Sequence, residues 1–200
     1  MSYKKHLSKD KKLAKILADH PEISLNSSTD IYGELISSII SQQLSVKVAK
    51  VIHDRFLNLF EKKNAKPQLV IEIEFKKLRS VGLSNSKTTY IKEVAQFAIE
   101  KGLSHKKLTP LSDDAVIDYL TQIKGVGKWT AQMLLMFTLG REDVFAVDDL
   151  GIQQAMIKAY KLQITDKKKL RNKMLQISES WKPFRTYACL HLWKWKDADK

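Results

Sequence analysis

The chain has 200 residues, with 35 Lys and Arg against 22 Asp and Glu, which gives a formal net charge of +13. Apolar residues make up 44%, enough for one substantial core or two small lobes and too many for a disordered basic tail. The single cysteine, Cys189, excludes an internal disulfide framework, a four-cysteine zinc site and an iron–sulfur cluster. The charge points to a polyanionic partner without choosing among DNA, RNA and an anionic surface. None of the five histidines has ligand spacing with another, and no apolar run reaches membrane-spanning length. The N-terminus lacks the apolar stretch of a secretory signal, so the expectation is a soluble intracellular protein.

In chain order the apolar spacing is mostly helical. Residues 8–18 place Leu13, Ile16 and Leu17 on one stripe, and His20-Pro21 ends it. Asp30 is placed to cap a helix carrying Leu35, Ile36, Ile39 and Ile40. Ser41-Gln42-Gln43-Leu44 interrupts the pattern, and Ser45 opens an amphipathic segment to about Phe60. Residues 61–70 read as a connection around Pro67, and residues 71–80 resume as helix and stop at Gly82. Helix fits 85–100, terminated by Gly102. Ser112, with Asp113 and Asp114, opens a helix to about residue 122. Gly125-Val126-Gly127 forces a tight turn, and a very apolar helix runs from Lys128 to Leu139, closed by Gly140. Helices then fit 150–160, 166–176 and 184–195. Only Leu69–Ile73 and Val144–Val147 carry strand signals, and weak ones. Nine or ten helices with short loops give an all-α class. Two helical lobes are expected within one unit over 1–200: a core lobe over 31–140, including 120–139, and a second over 1–30 with 141–200.

The first chemical signal is Ile123-Lys124-Gly125-Val126-Gly127-Lys128-Trp129-Thr130-Ala131. Two helices joined through a pair of glycines make a hairpin with bare backbone at its tip. Glycine there admits positive φ and lets a phosphate come close. Amides at the start of the second helix point at the anion, and Lys124 and Lys128 add positive charge. A GxG alone also serves as an ordinary helix–helix turn; it is neither the dinucleotide fingerprint nor a P-loop. Downstream, Asp148 and Asp149 follow Val144-Phe145-Ala146-Val147. Asp149, before Leu150-Gly151-Ile152, reads as a helix cap, and a capping position is compatible with a catalytic carboxylate.

Residues 123–154 combine GVGxWTA, an apolar helix and DVFxxDDxxI at fixed distance. This combination resembles the helix-hairpin-helix DNA glycosylases with a Gly/Pro-rich loop and a following Asp, nearest to the alkylbase (3-methyladenine) glycosylase II type. The resemblance covers about residues 28–196 and implies a two-lobed helical glycosylase fold. It assigns DNA phosphate contacts to Lys124, Gly125, Gly127, Lys128 and Thr130. It also implies a structural monovalent cation, Na+ or K+, on the carbonyls of Ile123, Gly125 and Val126, and no other metal or cofactor. The catalytic Asp of the family opens an Asp-x-x-Ile helix as the second of a pair, which is Asp149 here, with Asp148 a local structural acid. Such a carboxylate stabilises a cationic sugar and places the attacking water. Bifunctional relatives carry a lysine where Trp129 stands, and an indole cannot form a Schiff base.

The same resemblance makes Ile39–Val46 the loop that enters the base stack, with Gln43 first and Leu44 second as the wedge; an ordinary polar loop is the alternative. The run Trp181–Trp193 also matches the subgroup, placing Trp193 and Trp129 at an aromatic base pocket, with core packing as the alternative. Met133 stands where one relative has a pocket tyrosine, and Lys194 replaces an aromatic, so the pocket wall is expected to be thinner. Arg79-Ser80-Val81-Gly82-Leu83-Ser84 with Lys87 resembles the stretch between wedge and hairpin, and Arg185 is either fold-stabilising or phosphate-side. An additional N-terminal α/β domain carried by some relatives is expected to be missing. The expected function is monofunctional hydrolysis of the N-glycosidic bond of alkylated purines, such as 3-methyladenine and 7-methylguanine, in duplex DNA, as a step of base excision repair. A monomer acting on double-stranded DNA away from membranes is expected, in the cytoplasm of a bacterium or archaeon or the nucleus of a eukaryote. The rival readings are a glycosylase for another damaged or mismatched base and a non-enzymatic hairpin module that binds DNA.

Overall fold

Ser and Asp side chains open most of the helices where they precede apolar runs. Asp30 accepts from the Gly33 amide, Ser45 from Val48, Ser84 from Lys87, Ser112 from Ala115 and Asp166 from Lys169. The computed structural model describes residues 2–198. It contains α1 (Tyr3–Leu7), α2 (Lys11–Ala18), α3 (Ile31–Ser41), α4 (Val46–Leu57), α5 (Pro67–Glu72), α6 (Phe75–Ser80) and α7 (Asn85–Glu100). These are followed by α8 (His105–Leu108), α9 (Asp113–Leu120), α10 (Lys128–Phe137), α11 (Leu150–Tyr160), α12 (Lys167–Ser178) and α13 (Arg185–Ala198). Short 3-10 turns occupy Glu61–Lys63 and Glu179–Trp181. No strand occurs among the described residues, so the class is all-α as expected. None of the described helices is long and apolar enough to cross a membrane.

Several boundaries differ from expectation for physical reasons. The helix expected over 8–18 starts only at Lys11, because Asp10 accepts amide hydrogen bonds from Lys12 and Leu13 and caps α2, and a separate short helix, α1, precedes it. The apolar run Leu69–Ile73 is not a strand: Pro67 sits in the first turn of α5, where its missing N–H is harmless. Ile73 is extended and separates α5 from α6. Val144–Val147 is irregular: the amide and carbonyl of Val144 are met by Thr186 and Cys189 of α13, and the Val147 carbonyl accepts from Gln153 of α11. The single turn α8 left no periodic signal.

By its packing the chain divides into two units, Met1–Ser27 with Leu135–Lys200 and Ser28–Leu134. In the second of these, α7 packs on α3, α5 and α6, and α3 packs on α4. Leu35, Ile39, Phe56, Val70, Leu78, Ile91, Val94 and Leu120 form its buried core. Each such side chain contributes about 1.5–3 kcal/mol on leaving water. In the other unit, α13 packs on α11 and α2, and α1 packs on α2. Its core holds Leu13, Leu17, Ile152, Met156, Met174 and Leu192 around the fully buried Trp181. The Trp181 indole N–H and the Tyr160 hydroxyl both donate to Asp10 Oδ2, at 3.1 and 2.6 Å. The cap of α2 is thereby tied to the end of α11.

Candidate active site and nucleic-acid interface

The acidic segment is built by α13. Successive turns of that helix present Thr186, Cys189 and Trp193 on one stripe, and each meets residues 141–149. Thr186 Oγ1 donates to the Arg141 carbonyl (2.6 Å) and accepts from the Val144 amide (3.0 Å). The Cys189 thiol lies 3.9 Å from the Val144 carbonyl. Arg185, at the start of α13, grips Asp143 through Nε–Oδ1 at 2.7 Å and Nη2–Oδ2 at 2.9 Å. A forked pair of this kind fixes direction as well as distance. Of the two roles open to Arg185, the structure therefore shows the one that stabilises the fold.

At the end of this braced segment stands Asp149, the N-cap of α11. Its Oδ1 accepts from the Ile152 amide and from Trp193 Nε1, both at 2.8 Å. Two donors on one oxygen, with the positive end of the helix dipole behind it, hold the carboxylate in one orientation. Gly151 makes this possible. A Cβ there would lie 3.0 Å from both Asp149 Oδ1 and Trp193 Cδ1. The Trp193 ring stacks at 6.1 Å on Phe137, which is half exposed and was not singled out by sequence. Asp148 pairs with Arg171, with Nε–Oδ1 at 2.9 Å.

The hairpin lies in the other unit. Gly125 has φ +94°, and a Cβ on it would come within 2.2 Å of the Tyr90 ring. Gly127 has open space where its Cβ would be. Lys124, Gly127, Lys128 and Trp129 are exposed, and Gly125 is half-buried. Thr130 is only 4% exposed, with its side chain on the core side of α10. It can offer a phosphate no more than its backbone amide. Met133, four residues after Trp129 on the same helix face, is half-buried. The Ile123 carbonyl accepts from the Val126 amide at 3.0 Å, and the Gly125 carbonyl accepts from Gln42 Nε2 at 3.3 Å. A carbonyl oxygen has two lone pairs, so an all-oxygen set on Ile123, Gly125 and Val126 still fits a hard monovalent cation. Gln43 and Leu44 are exposed on the loop between α3 and α4, with Gln43 at φ +57°.

The HhH-GPD superfamily base excision DNA repair protein family matches residues 36–183. DNA-3-methyladenine glycosylase 1 of Schizosaccharomyces pombe is 35% identical over 188 residues, covering 92% of this chain and 80% of that protein. The solved S. pombe 3-methyladenine DNA glycosylase in complex with abasic DNA superposes with a TM-score of 0.81 at 33% identity, covering 97% of this chain and 96% of the other. A DNA-3-methyladenine glycosidase from Bacillus halodurans gives a TM-score of 0.84 at 34% identity, covering 98% and 89%. The chain belongs to the HhH-GPD superfamily of base excision DNA repair proteins and, within it, to the hydrolases of the DNA-3-methyladenine glycosylase II type.

Proposed function

We propose that the protein is a monofunctional DNA glycosylase that hydrolyses the N-glycosidic bond of alkylated purines, 3-methyladenine and 7-methylguanine first, in duplex DNA. The observation that carries this reading is the Asp149 carboxylate, fixed by Ile152 and Trp193 at the motif distance from the hairpin. Loss of an alkylated base leaves positive charge on the sugar, and a preoriented carboxylate stabilises it without reorganising. The same carboxylate directs water to the anomeric carbon, giving free base and an abasic site. Alkylation makes the base a good leaving group, so little more catalysis is required. Trp129 in place of an amine nucleophile supports base removal without strand cleavage.

The hairpin grips the duplex by its phosphates. Gly127 supports this role, since the fold leaves room for a side chain there and close backbone approach explains why none is present. Lys124, Lys128 and the amides of Gly125, Gly127 and Thr130 supply the contacts, and a monovalent cation on the Ile123, Gly125 and Val126 carbonyls would add positive charge toward the phosphate. Gln43 and Leu44 fill the space left in the stack. Trp193 offers an indole beside Asp149 suited to stacking on a cationic purine. The protein acts as an intracellular monomer.

Base release measured on a panel of duplexes, each with one lesion, tests the assignment. Release of 3-methyladenine and 7-methylguanine is expected, with no strand breaks before heat or alkali. Asn also caps helices, so Asp149→Asn should keep fold and DNA affinity while losing about 10²–10³-fold in excision. Equal excision by the two proteins, or release of another lesion while both alkylpurines stay attached, would overturn it.

A further inference from the structure

Two lysines on α7 make the same local contact with the ends of two other helices. Lys92 Nζ donates to the carbonyls of Ile71 and Ile73 at 2.8 and 2.7 Å, at the end of α5. Lys87 Nζ donates to the carbonyls of Ile40 and Gln42, also at 2.8 and 2.7 Å, at the end of α3. Each ammonium covers carbonyls near a helix C-terminus and meets the negative end of that helix's dipole. The two helix ends lead into different structures. Past Ile73 the backbone enters α6. Past Gln42 it enters the exposed loop of Gln43 and Leu44, where a non-glycine residue holds positive φ. Such a conformation persists only where the surroundings hold it.

The loop is held from a second side. Gln42 Nε2 donates to the carbonyl of Gly125 at the hairpin tip, 3.3 Å away. Tyr90, one turn after Lys87 on α7, packs directly beneath Gly125. One face of α7 therefore supports both loops, and the loops are bonded to each other.

We propose that Lys87 and Gln42 are positioning residues that lock the Gln43–Leu44 loop to the hairpin tip, so that the grip on the phosphates sets how deeply Gln43 and Leu44 enter the duplex. This rests on the reading of the hairpin as phosphate grip and of the loop as wedge. Neither residue touches the base. Their effect is confined to substrates that must be unstacked, because a single strand offers no closed stack to open.

The test compares Lys87→Met, Gln42→Leu and, as a matched control, Lys92→Met. Lys92→Met removes an equivalent helix cap away from both loops. Single-turnover release of 7-methylguanine is measured from a duplex and from the single strand of the same sequence. Lys87→Met and Gln42→Leu should slow duplex release about tenfold, as misplacement of a positioning element does, and single-strand release by less than about threefold. Lys92→Met should lower the melting temperature as much as Lys87→Met and slow neither release, and Lys87→Arg should restore duplex release. Equal slowing on both substrates, the same pattern in Lys92→Met, or no slowing overturns the proposal.

If the wild type releases no alkylated base from either substrate, it is the proposed activity that fails. The lock is then read from 2-aminopurine fluorescence beside a tetrahydrofuran abasic analogue, where wedge insertion unstacks the probe. Loss of that signal in Lys87→Met and Gln42→Leu but not in Lys92→Met supports the lock. Equal signals in all four proteins, or no signal with the wild type, overturn it.

Discussion

The indole of Trp193 gives its one N–H to Asp149, so its edge is committed to the carboxylate while its face lies against Phe137. A pocket wall and an orienting donor are separable roles, and Trp193→Phe separates them. The ring survives and the hydrogen bond does not. A hydrogen bond to a charged group contributes about 1.5–3 kcal/mol, which corresponds to roughly ten- to hundredfold in rate if it acts only through the transition state. Trp193→Phe should therefore lower kcat by that range with KM within about twofold. A raised KM with kcat intact would instead assign Trp193 to base stacking alone. Among the neighbouring acids, Asp143 holds Arg185 and Asp148 pairs with Arg171, and Asp149 accepts from an amide and an indole.

At the scale of the element, the two hairpin glycines have different physical reasons. Gly125 combines φ +94° with the Tyr90 ring where its Cβ would stand, whereas Gly127 meets nothing. Gly125→Ala should cost about 1–2 kcal/mol from the backbone alone, more once Tyr90 is displaced, and lower the melting temperature by several degrees. Gly127→Ala should leave the melting temperature within about a degree and weaken duplex binding, measured by fluorescence anisotropy. A stable Gly125→Ala hairpin, or unchanged affinity in Gly127→Ala, would reverse the assignment. The sequence carried the hairpin, the caps and the placement of Asp149 because each is local: a glycine pair, a Ser or Asp before an apolar run, a carboxylate three residues before Ile152. It misread Leu69–Ile73, since α5 is too short to show a helical period and its β-branched residues imitate a strand. It could not show Lys87, Gln42 and Tyr90 as supports, because Gln42 and Gly125 are 83 residues apart and only folding brings them together. The motif likewise gives Thr130 its position in the hairpin but not the core-side face of α10 that its side chain takes.

Over the whole molecule, a charge of +13 favours a polyanionic partner and grows as histidines protonate, so acid adds self-repulsion everywhere. One histidine adds a specific term. His191, on α13, is fully buried, with Nε2 3.1 Å from the Tyr3 hydroxyl and no partner for Nδ1. Burial first, then the charges of His20, Lys4 and Lys194, pull its pKa down to about 4 from the ordinary 6.5. Protonation would put a hydrogen on both ring nitrogens, one of them facing no acceptor, beside the His20 ring 5.9 Å away. The folded state therefore favours the neutral ring, while the unfolded chain takes up the proton near the ordinary value. By linkage, the stabilisation is complete above about pH 6.5 and is lost as the pH falls through 4. Thermal melts should show a decline over this window. His191→Gln keeps a polar group for Tyr3 but cannot titrate, so it should melt lower at pH 7.5 and fall less between pH 6.5 and 4. General repulsion acts on both proteins alike, so the difference between the two curves isolates His191, and parallel curves would remove it as the source of acid sensitivity.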